Sequence, residues 1–407
     1  MKWLRWALAT AVFAAAWRAA QGAPSAGEEK DAAMASRVQW DKFKIDKGDF
    51  ESCAVFDVNM DGHLDILCGG WWYEGPDFTR RFKVCDLPHV GGKDVEYYDD
   101  FGCVPMDVNG DGWLDIVTGG WFSKQVVWRE NPKAADREWT THVIDEGFSS
   151  EIVLGHDIDG DGQLEIVPNT PAAPLRFYKL ILDEKGRGTG RFETIFIDPD
   201  PAAKSGHGLG FGDVNGDGSR DIVVPTGWWE APADPLRGKW IFHDEFDLGR
   251  MSCPIIVNDL LDDGLAELVV GNGHGFGLDY WRQDVDKDGE PVWTRSPIDP
   301  FFSQYHCLKW VDIDGDGQNE IVTGNRYRAH CGHDPGETDE VGLYYFKWNG
   351  EFFTKVVIDH GVAGKASGTG LWFEVVDIDN DGRLDIVAPG KEGLYLFRNK
   401  GVVTDNK

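Results

Sequence analysis

One phrase recurs seven times along the chain: an Asp, an Asp or Asn two residues on, then Asp-Gly, then an acid opening a β-branched or apolar run. The copies start at Asp57, Asp107, Asp157, Asp213, Asp259, Asp312 and Asp377, so successive starts lie 50, 50, 56, 46, 53 and 65 residues apart. A unit of that size cannot bury an apolar face by itself. It must stack against its neighbours, which restricts the chain to a solenoid or a propeller.

Each unit reads as four short strands. In the first, Cys53-Ala54-Val55-Phe56 precedes the Asp-rich turn and Leu64 to Leu67 follows it. After Gly69-Gly70 come an aromatic strand, Trp71-Trp72-Tyr73-Glu74, and a fourth, Arg81-Phe82-Lys83-Val84. Short alternating strands bounded by Gly, Pro and Asp make the pattern of a propeller blade. The fourth strand also repeats, at Thr140–Asp145, Glu193–Asp198 and Thr354–Asp359, but the last unit ends too soon to have one. A matching strand, Asp41-Lys42-Phe43-Lys44-Ile45-Asp46, stands at the other end of the chain. An N-terminal strand completing the final blade would close a ring and remove its open edges. The expected fold is all-β: a seven-bladed β-propeller over residues 37–407, four antiparallel strands per blade.

Lys2 and Arg5 precede an apolar stretch from Trp6 to Trp17, followed by Ala20-Gln21-Gly22. That is the order of a signal peptide, expected over residues 1–22, with a flexible leader over 23–36 and a secreted or periplasmic protein as the consequence. The apolar stretch is too short to span a bilayer. The formal charge of −30 argues against nucleic acid or an anionic membrane surface as partner. The seven cysteines are scattered, and most read as small buried thiols, while Cys307 and Cys331 could meet within one blade as a disulfide.

Within the phrase, oxygen-bearing side chains fall at positions one, three and five, Gly at six and an acid at nine. Alternate side chains of a tight loop converge, and a hard cation wants six to eight oxygens. The ligand sets are Asp57, Asn59, Asp61 and Asp65; Asp107, Asn109, Asp111 and Asp115; Asp157, Asp159, Asp161 and Glu165; Asp213, Asn215, Asp217 and Asp221; Asp312, Asp314, Asp316 and Glu320; and Asp377, Asp379, Asp381 and Asp385. Several structural Ca2+ ions are therefore expected. The fifth copy has Leu261 at its third position, so that loop should be weak or empty. Position twelve is Cys68, Thr118 or Pro168 in the first three copies rather than Glu, and the flanks are strands, which excludes an EF-hand.

The phrase resembles the FG-GAP or VCBS-type repeat of integrin α-subunit heads and of many exported bacterial propellers. The resemblance covers residues 37–407 and implies calcium between the first and second strands of each blade. Val127-Trp128-Arg129-Glu130-Asn131-Pro132, with Trp139 and the strand His142-Val143-Ile144, is similar to the propeller part of aldos-2-ulose dehydratase. That second resemblance implies sugar dehydration with a metal in the funnel.

The unusual residues gather in the connections on the face opposite the Asp-rich turns. Seven of the eleven histidines fall there. His207, His274, His306 and Glu151 are the candidate catalytic group: they could hold a transition metal such as Zn2+, or supply base and acid for an elimination α to a carbonyl. Trp71, Trp72, Trp121, Trp228, Trp229, Arg326, Tyr327, Arg328, His330 and His333 are candidate ligand contacts, since aromatic faces beside charged groups suit a sugar or keto-sugar. Two readings stay open: a carbohydrate-active enzyme, either a lyase or a dehydratase, and a non-catalytic propeller that binds a glycan or a protein.

Overall fold

The computed structural model describes residues 37–90, 97–198 and 205–403. The chain divides into two units: the propeller, residues 40–400, and the two chain ends, of which 37–39 and 401–403 are described. The expected signal peptide and leader lie outside the described residues.

Among the described residues the regular structure is β throughout, with seven four-stranded antiparallel sheets. Blade 1 comprises Cys53–Phe56, Asp65–Cys68, Trp71–Tyr73 and Arg81–Lys83, and blade 2 comprises Val104–Met106, Asp115–Gly119, Gln125–Glu130 and Thr140–Glu146. Blade 3 follows with Ile152–His156, Glu165–Asn169, Arg176–Leu182 and Gly188–Phe196, and blade 4 with Gly210–Gly212, Asp221–Val224, Gly227–Glu230 and Ile241–His243. Blade 5 holds Ile256–Asn258, Glu267–Gly271, Phe276–Val285 and Pro291–Ser303, and blade 6 holds Tyr305–Val311, Glu320–Asn325, Val341–Trp348 and Phe353–Gly361. Blade 7 takes Glu374–Val376, Asp385–Ala388 and Leu394–Val403 from the C-terminal part, and its outermost strand is Arg37–Asp46 from the N-terminal part. Two short strands, His89–Val90 and Tyr97–Tyr98, form an additional hairpin ahead of blade 2.

Burial explains the sequence pattern of each strand. Second strands such as Asp65–Cys68 and Asp221–Val224 are buried along their whole length, because both faces meet neighbouring blades. The fourth strand Thr140–Glu146 has an outer flank in water and alternates between exposed and half-buried positions. The apolar core is shared out between blades. Ala54, Leu67 and Trp72 of blade 1 pack with Cys103 and Ile116 of blade 2, and Cys53, Ile66 and Tyr73 pack with Ile378, Val387 and Leu396 of blade 7. Inner strands also join backbone to backbone: Cys53 N donates to Trp372 O at 3.2 Å, and Ile255 N to Leu209 O at 2.7 Å.

The sixth residue of the repeated phrase sits at φ between 86° and 90° in all seven copies, a left-handed conformation that explains Gly there. Cys307 is buried and is not bridged to Cys331, so the possible disulfide is absent. Among the described residues, no helix is long and apolar enough to cross a membrane.

The last blade is held shut by side chains as well as by strand pairing. Asp46 accepts from Tyr73 Oη at 2.7 Å across to blade 1, and Lys44 Nζ donates to Glu392 O at 3.0 Å. Lys42 pairs with Asp359 of blade 6. A chain lacking residues 37–46 should expose the unpaired edge of Leu394–Val403. It is expected to melt at lower temperature and to aggregate, read by calorimetry and gel filtration; an unchanged transition would show that closure contributes nothing.

Candidate functional site

Two sets of side chains concentrate charge: the Asp-rich turns on one side of the blades and a histidine cluster in a cavity on the other. In the turns, the first Asp accepts from backbone amides of the same loop. Asp57 accepts from Asp61 N at 3.1 Å and Gly62 N at 2.9 Å, and Asp213 accepts from Asp217 N at 3.1 Å and Gly218 N at 2.8 Å. The ninth-position acid is buried and reaches across the hairpin. Asp65 accepts from Val58 N at 2.8 Å and from Gly75 N, beyond the third strand, at 2.7 Å. Asp115 does the same with Val108 N at 3.0 Å and Asn131 N at 2.9 Å.

These turns are short of positive charge. Burial, reinforced by the neighbouring Asp61 and Asp57, pushes Asp65 up to about 6, and Asp115, Asp221 and Asp385 rise to about 6 with burial again the leading cause. Glu320 rises to about 7 for the same first reason. Some turns do meet a basic side chain: Lys133 stands 2.7 Å from Asp111 in blade 2 and Arg383 pairs with Asp381 in blade 7, each on one acid, whereas in blades 3 and 6 a lysine reaches three. Lys179 Nζ stands 2.6 Å from Asp159, 2.8 Å from Asp161 and 2.9 Å from Glu165. Lys347 Nζ contacts Asp314, lies 2.8 Å from Asp316 and 3.7 Å from Glu320.

The cavity has a volume of about 640 Å³ and is lined by connections of the kind expected, between blades and between second and third strands. Glu151, His207, His274 and His330 all line it, with Tyr97, Phe101, Trp121 and Phe122 as aromatic lining and Asp247 and Arg250 as charged lining from the connection after blade 4. Glu151 stands just before the first strand of blade 3, His207 just before that of blade 4, and His306 on the first strand of blade 6. His274 lies between the second and third strands of blade 5. Residues far apart in the chain thus meet.

Their contacts are specific. Glu151 Oε1 lies 3.0 Å from His207 Nε2 and 3.3 Å from His306 Nε2. His207 Nδ1 lies 2.8 Å from Met251 O, a carbonyl that can only accept, so Nδ1 carries the proton. In the neutral ring Nε2 then carries a lone pair, and it faces a carboxylate off the hydrogen-bond direction. Such an arrangement calls for a cation, either a second proton or a metal ion. His274 Nδ1 lies 2.9 Å and His330 Nδ1 2.8 Å from Asp334 Oδ2, which leaves His274 Nε2 buried and without a partner. The rings connect: His207 and His274 are 4.3 Å apart edge to face, and His274 and His330 are stacked at 4.4 Å.

Burial sets the charge states. It pushes His306 down to about 4 and, with help from the charges of His207 and His306, His274 down to about 3, so both rings are neutral at ordinary pH. Burial also opposes charge on His207, but Glu151 outweighs it and raises the ring above its usual value. Glu151 in turn is held well below the carboxylate range, burial being overcome by His207 and His306.

The other expected contacts divide. Trp121 and His330 line the cavity. Trp72, Trp228 and Trp229 are buried in the cores between blades, and Trp71 is half-buried beneath the Arg81 guanidinium at 4.4 Å. These four lie on third strands rather than in connections. Tyr327 and Arg328 are half-buried and His333 is exposed, all three in the excursion after the second strand of blade 6 and none lining the cavity. Arg326 is fully buried on Glu51, with Nε 2.8 Å from Oε1 and Nη2 3.1 Å from Oε2, and Lys391 Nζ joins the same carboxylate at 3.2 Å. Both cations face the Tyr97 ring, at 5.6 and 4.3 Å. Glu51, Lys391, Asp334 and the Met251 carbonyl carry no motif and were not anticipated. Only Asp334 had a signal: it follows His330 by four residues in a His-Cys-Gly-His-Asp string.

A family model described as FG-GAP-like repeat matches residues 107–167, from the second copy of the phrase to the second strand of blade 3. No curated protein matches the chain. The repeat match and the seven-bladed ring together support an FG-GAP β-propeller.

Glu51→Ala would strand two buried cations under the cavity wall. Removing one partner of such a pair costs about 3–5 kcal/mol. Denaturant unfolding should show a loss of that order, and a loss under about 1 kcal/mol would mean the network is dispensable.

Proposed function

We propose that this FG-GAP β-propeller is an exported, calcium-stabilised protein that acts on carbohydrate in its funnel, where Glu151, His207 and His306 hold a divalent transition-metal ion. The observation that carries the reading is one carboxylate oxygen facing two imidazole nitrogens at 3.0 and 3.3 Å on the wall of a sugar-sized cavity. A tetrahedral ion with bonds of about 2.0–2.1 Å spaces its ligand atoms by about 3.3 Å, so the donor set fits. The Met251 carbonyl on His207 Nδ1 is the outer partner that a metal-bound histidine ordinarily has. His274 Nε2, buried without a partner, is a further donor available to the same centre.

When bound, the ion would polarise a carbonyl or hydroxyl oxygen of the ligand. The chain supplies the rest. Trp121, Phe101 and Phe122 offer flat apolar faces for a sugar ring. His330, with 38 % of its side chain exposed and Asp334 on its Nδ1, is placed to take a proton α to a carbonyl. Loss of that proton with departure of water or an alcohol from the adjacent carbon yields a conjugated enone. This is the elimination of a lyase or dehydratase. Export rests on the N-terminal pattern of residues 1–22.

The runner-up is glycan or protein binding without chemistry. It is favoured by the Glu151–His207 contact, which forms a complete ion pair once His207 is protonated. Metal analysis and substrate screening separate the two. The protein should retain one equivalent of transition metal that Glu151→Gln and His306→Gln lose, and a panel of oligosaccharides and keto-sugars should generate enone absorbance. Metal-free protein that binds a glycan without turnover would leave the binder standing.

Calcium has its own signature. Without it, the raised ninth-position acids bind more protons folded than unfolded between about pH 4 and 6, so stability falls as pH rises through that window. Bound Ca2+ would reverse this by requiring the ionised form. Chelation should therefore lower the melting temperature more at about pH 7.5 than at about pH 5. An equal or absent effect at both would count against calcium in the turns.

A further inference from the structure

We propose that two of the seven turns carry their own cation in place of calcium: the ammonium groups of Lys179 and Lys347 are the resident positive charges of blades 3 and 6, and Ca2+ goes to turns that lack one. The inference refines the calcium reading above. It rests on strand register, on hydrogen bonds of the ninth-position acid, and on the lysine contacts.

Register places one residue of the third strand beside that acid in every blade. The pairs Ile66 with Tyr73, Ile116 with Arg129, and Ile222 with Trp229 bring Glu74, Glu130 and Glu230 next to Asp65, Asp115 and Asp221. The pairs Ile166 with Tyr178 and Ile321 with Phe346 bring Lys179 and Lys347 next to Glu165 and Glu320. Where the ninth residue is Asp, in blades 1, 2 and 4, its neighbour is Glu; where it is Glu, in blades 3 and 6, its neighbour is Lys. In blades 5 and 7 the neighbour is an arginine that does not enter the turn as the lysines do: Arg282 pairs with Asp284, and Arg398 comes no nearer than 3.7 Å to Asp379 while Asp385 keeps backbone bonds from Ile378 N and Asn399 N.

The added methylene has a structural effect. Asp65, Asp115 and Asp221 spend both oxygens on backbone amides; for Asp221 these are Val214 N and Ala231 N, both at 2.9 Å. Glu165 keeps the first of these bonds, from Ile158 N at 2.8 Å, and turns its other oxygen to Lys179 at 2.9 Å. Glu320 likewise keeps Ile313 N at 3.0 Å and turns towards Lys347. Each ammonium then touches the third-, fifth- and ninth-position side chains, the same groups a calcium ion would need. Calcium takes those oxygens at about 2.3–2.6 Å, and a second cation cannot share that centre. In blades 1, 2 and 4, Glu74, Glu130 and Glu230 add a carboxylate where the lysines stand. Lys133 contacts Asp111 of blade 2 at 2.7 Å, but as an exposed side chain that a calcium ion can displace.

The division bears on the funnel. Glu151 and His306 lead into the first strands of blades 3 and 6, so two of its donor groups sit on blades that do not depend on calcium.

The test is calcium stoichiometry on metal-stripped, full-length protein, by titration calorimetry and by elemental analysis after gel filtration. Lys179→Gln and Lys347→Gln should each bind one more Ca2+ than the parent, and Glu74→Lys should bind one fewer while still folding. A lysine variant that unfolds when stripped but refolds on adding Ca2+ supports the exchange as well. Lysine variants that bind the parent's number of ions overturn it. A parent that binds no calcium would defeat the calcium assignment alone, since Lys179→Gln still decides the exchange by whether it gains an ion.

Discussion

The architecture depends on one buried carboxylate per blade, the acid at the ninth position of the repeated phrase. A carboxylate in an apolar interior must find hydrogen-bond donors or become protonated. Asp115 finds Val108 N on one side and Asn131 N on the other, and so ties the turn and the third strand to the start of the second strand. That bond set locks the register of three strands at once. Register in turn decides which side chains face the neighbouring blade, because a one-residue slip would turn Ile116 and its equivalents out of the core. The ring, its closure and its central funnel all follow from hairpins that cannot slide.

The same arrangement creates an electrostatic problem. Two or three further acids stand within the turn, and the buried one rises to about 6 in blades 1, 2, 4 and 7. Like charges at such spacing loosen a hairpin unless a cation stands among them. By the reading proposed above the chain would hold two kinds of answer, distinguished in blades 1 to 4 and 6 by one residue on the third strand. Lys179 is held above the ordinary lysine range, burial being outweighed by its bonds to Asp159, Asp161 and Glu165. Glu74 and Glu130 instead deepen the demand for an outside ion.

Much of this could be read before the fold was known. The spacing of the seven phrases implied seven blades, and the missing last strand implied that Asp41–Asp46 would complete the ring, as it does. The loop sets facing the cavity were legible too, because chain order within a blade decides on which side each connection falls. What could not be read was depth. Trp72 and Trp228 looked like ligand platforms, but a Trp on a short third strand packs between blades as readily as it meets solvent, and these do. The Arg326–Glu51–Lys391 cluster joins residues from opposite ends of the chain, so no local pattern marks it. The lysine turns were visible in principle, yet only after register had aligned Lys179 with Glu74.

The histidine cluster is informative because its exposure is graded. His306 is fully buried, the His274 and His207 side chains are 8 % and 10 % exposed, and that of His330 is 38 % exposed. Asp334 joins the outer two, and ring contacts of 4.4 and 4.3 Å continue the series inward to His207 and the Glu151 carboxylate. A group of histidines serving only to fill the channel would have no reason to be ordered from dry to wet. The reaction centre proposed above would have one: its fixed charges must be shielded from water to be strong, while the group that exchanges protons must reach it. Blades 3, 4 and 5 contribute Glu151, His207 and His274, and blade 6 contributes His306, His330 and Asp334, so the series exists only when four successive blades pack together.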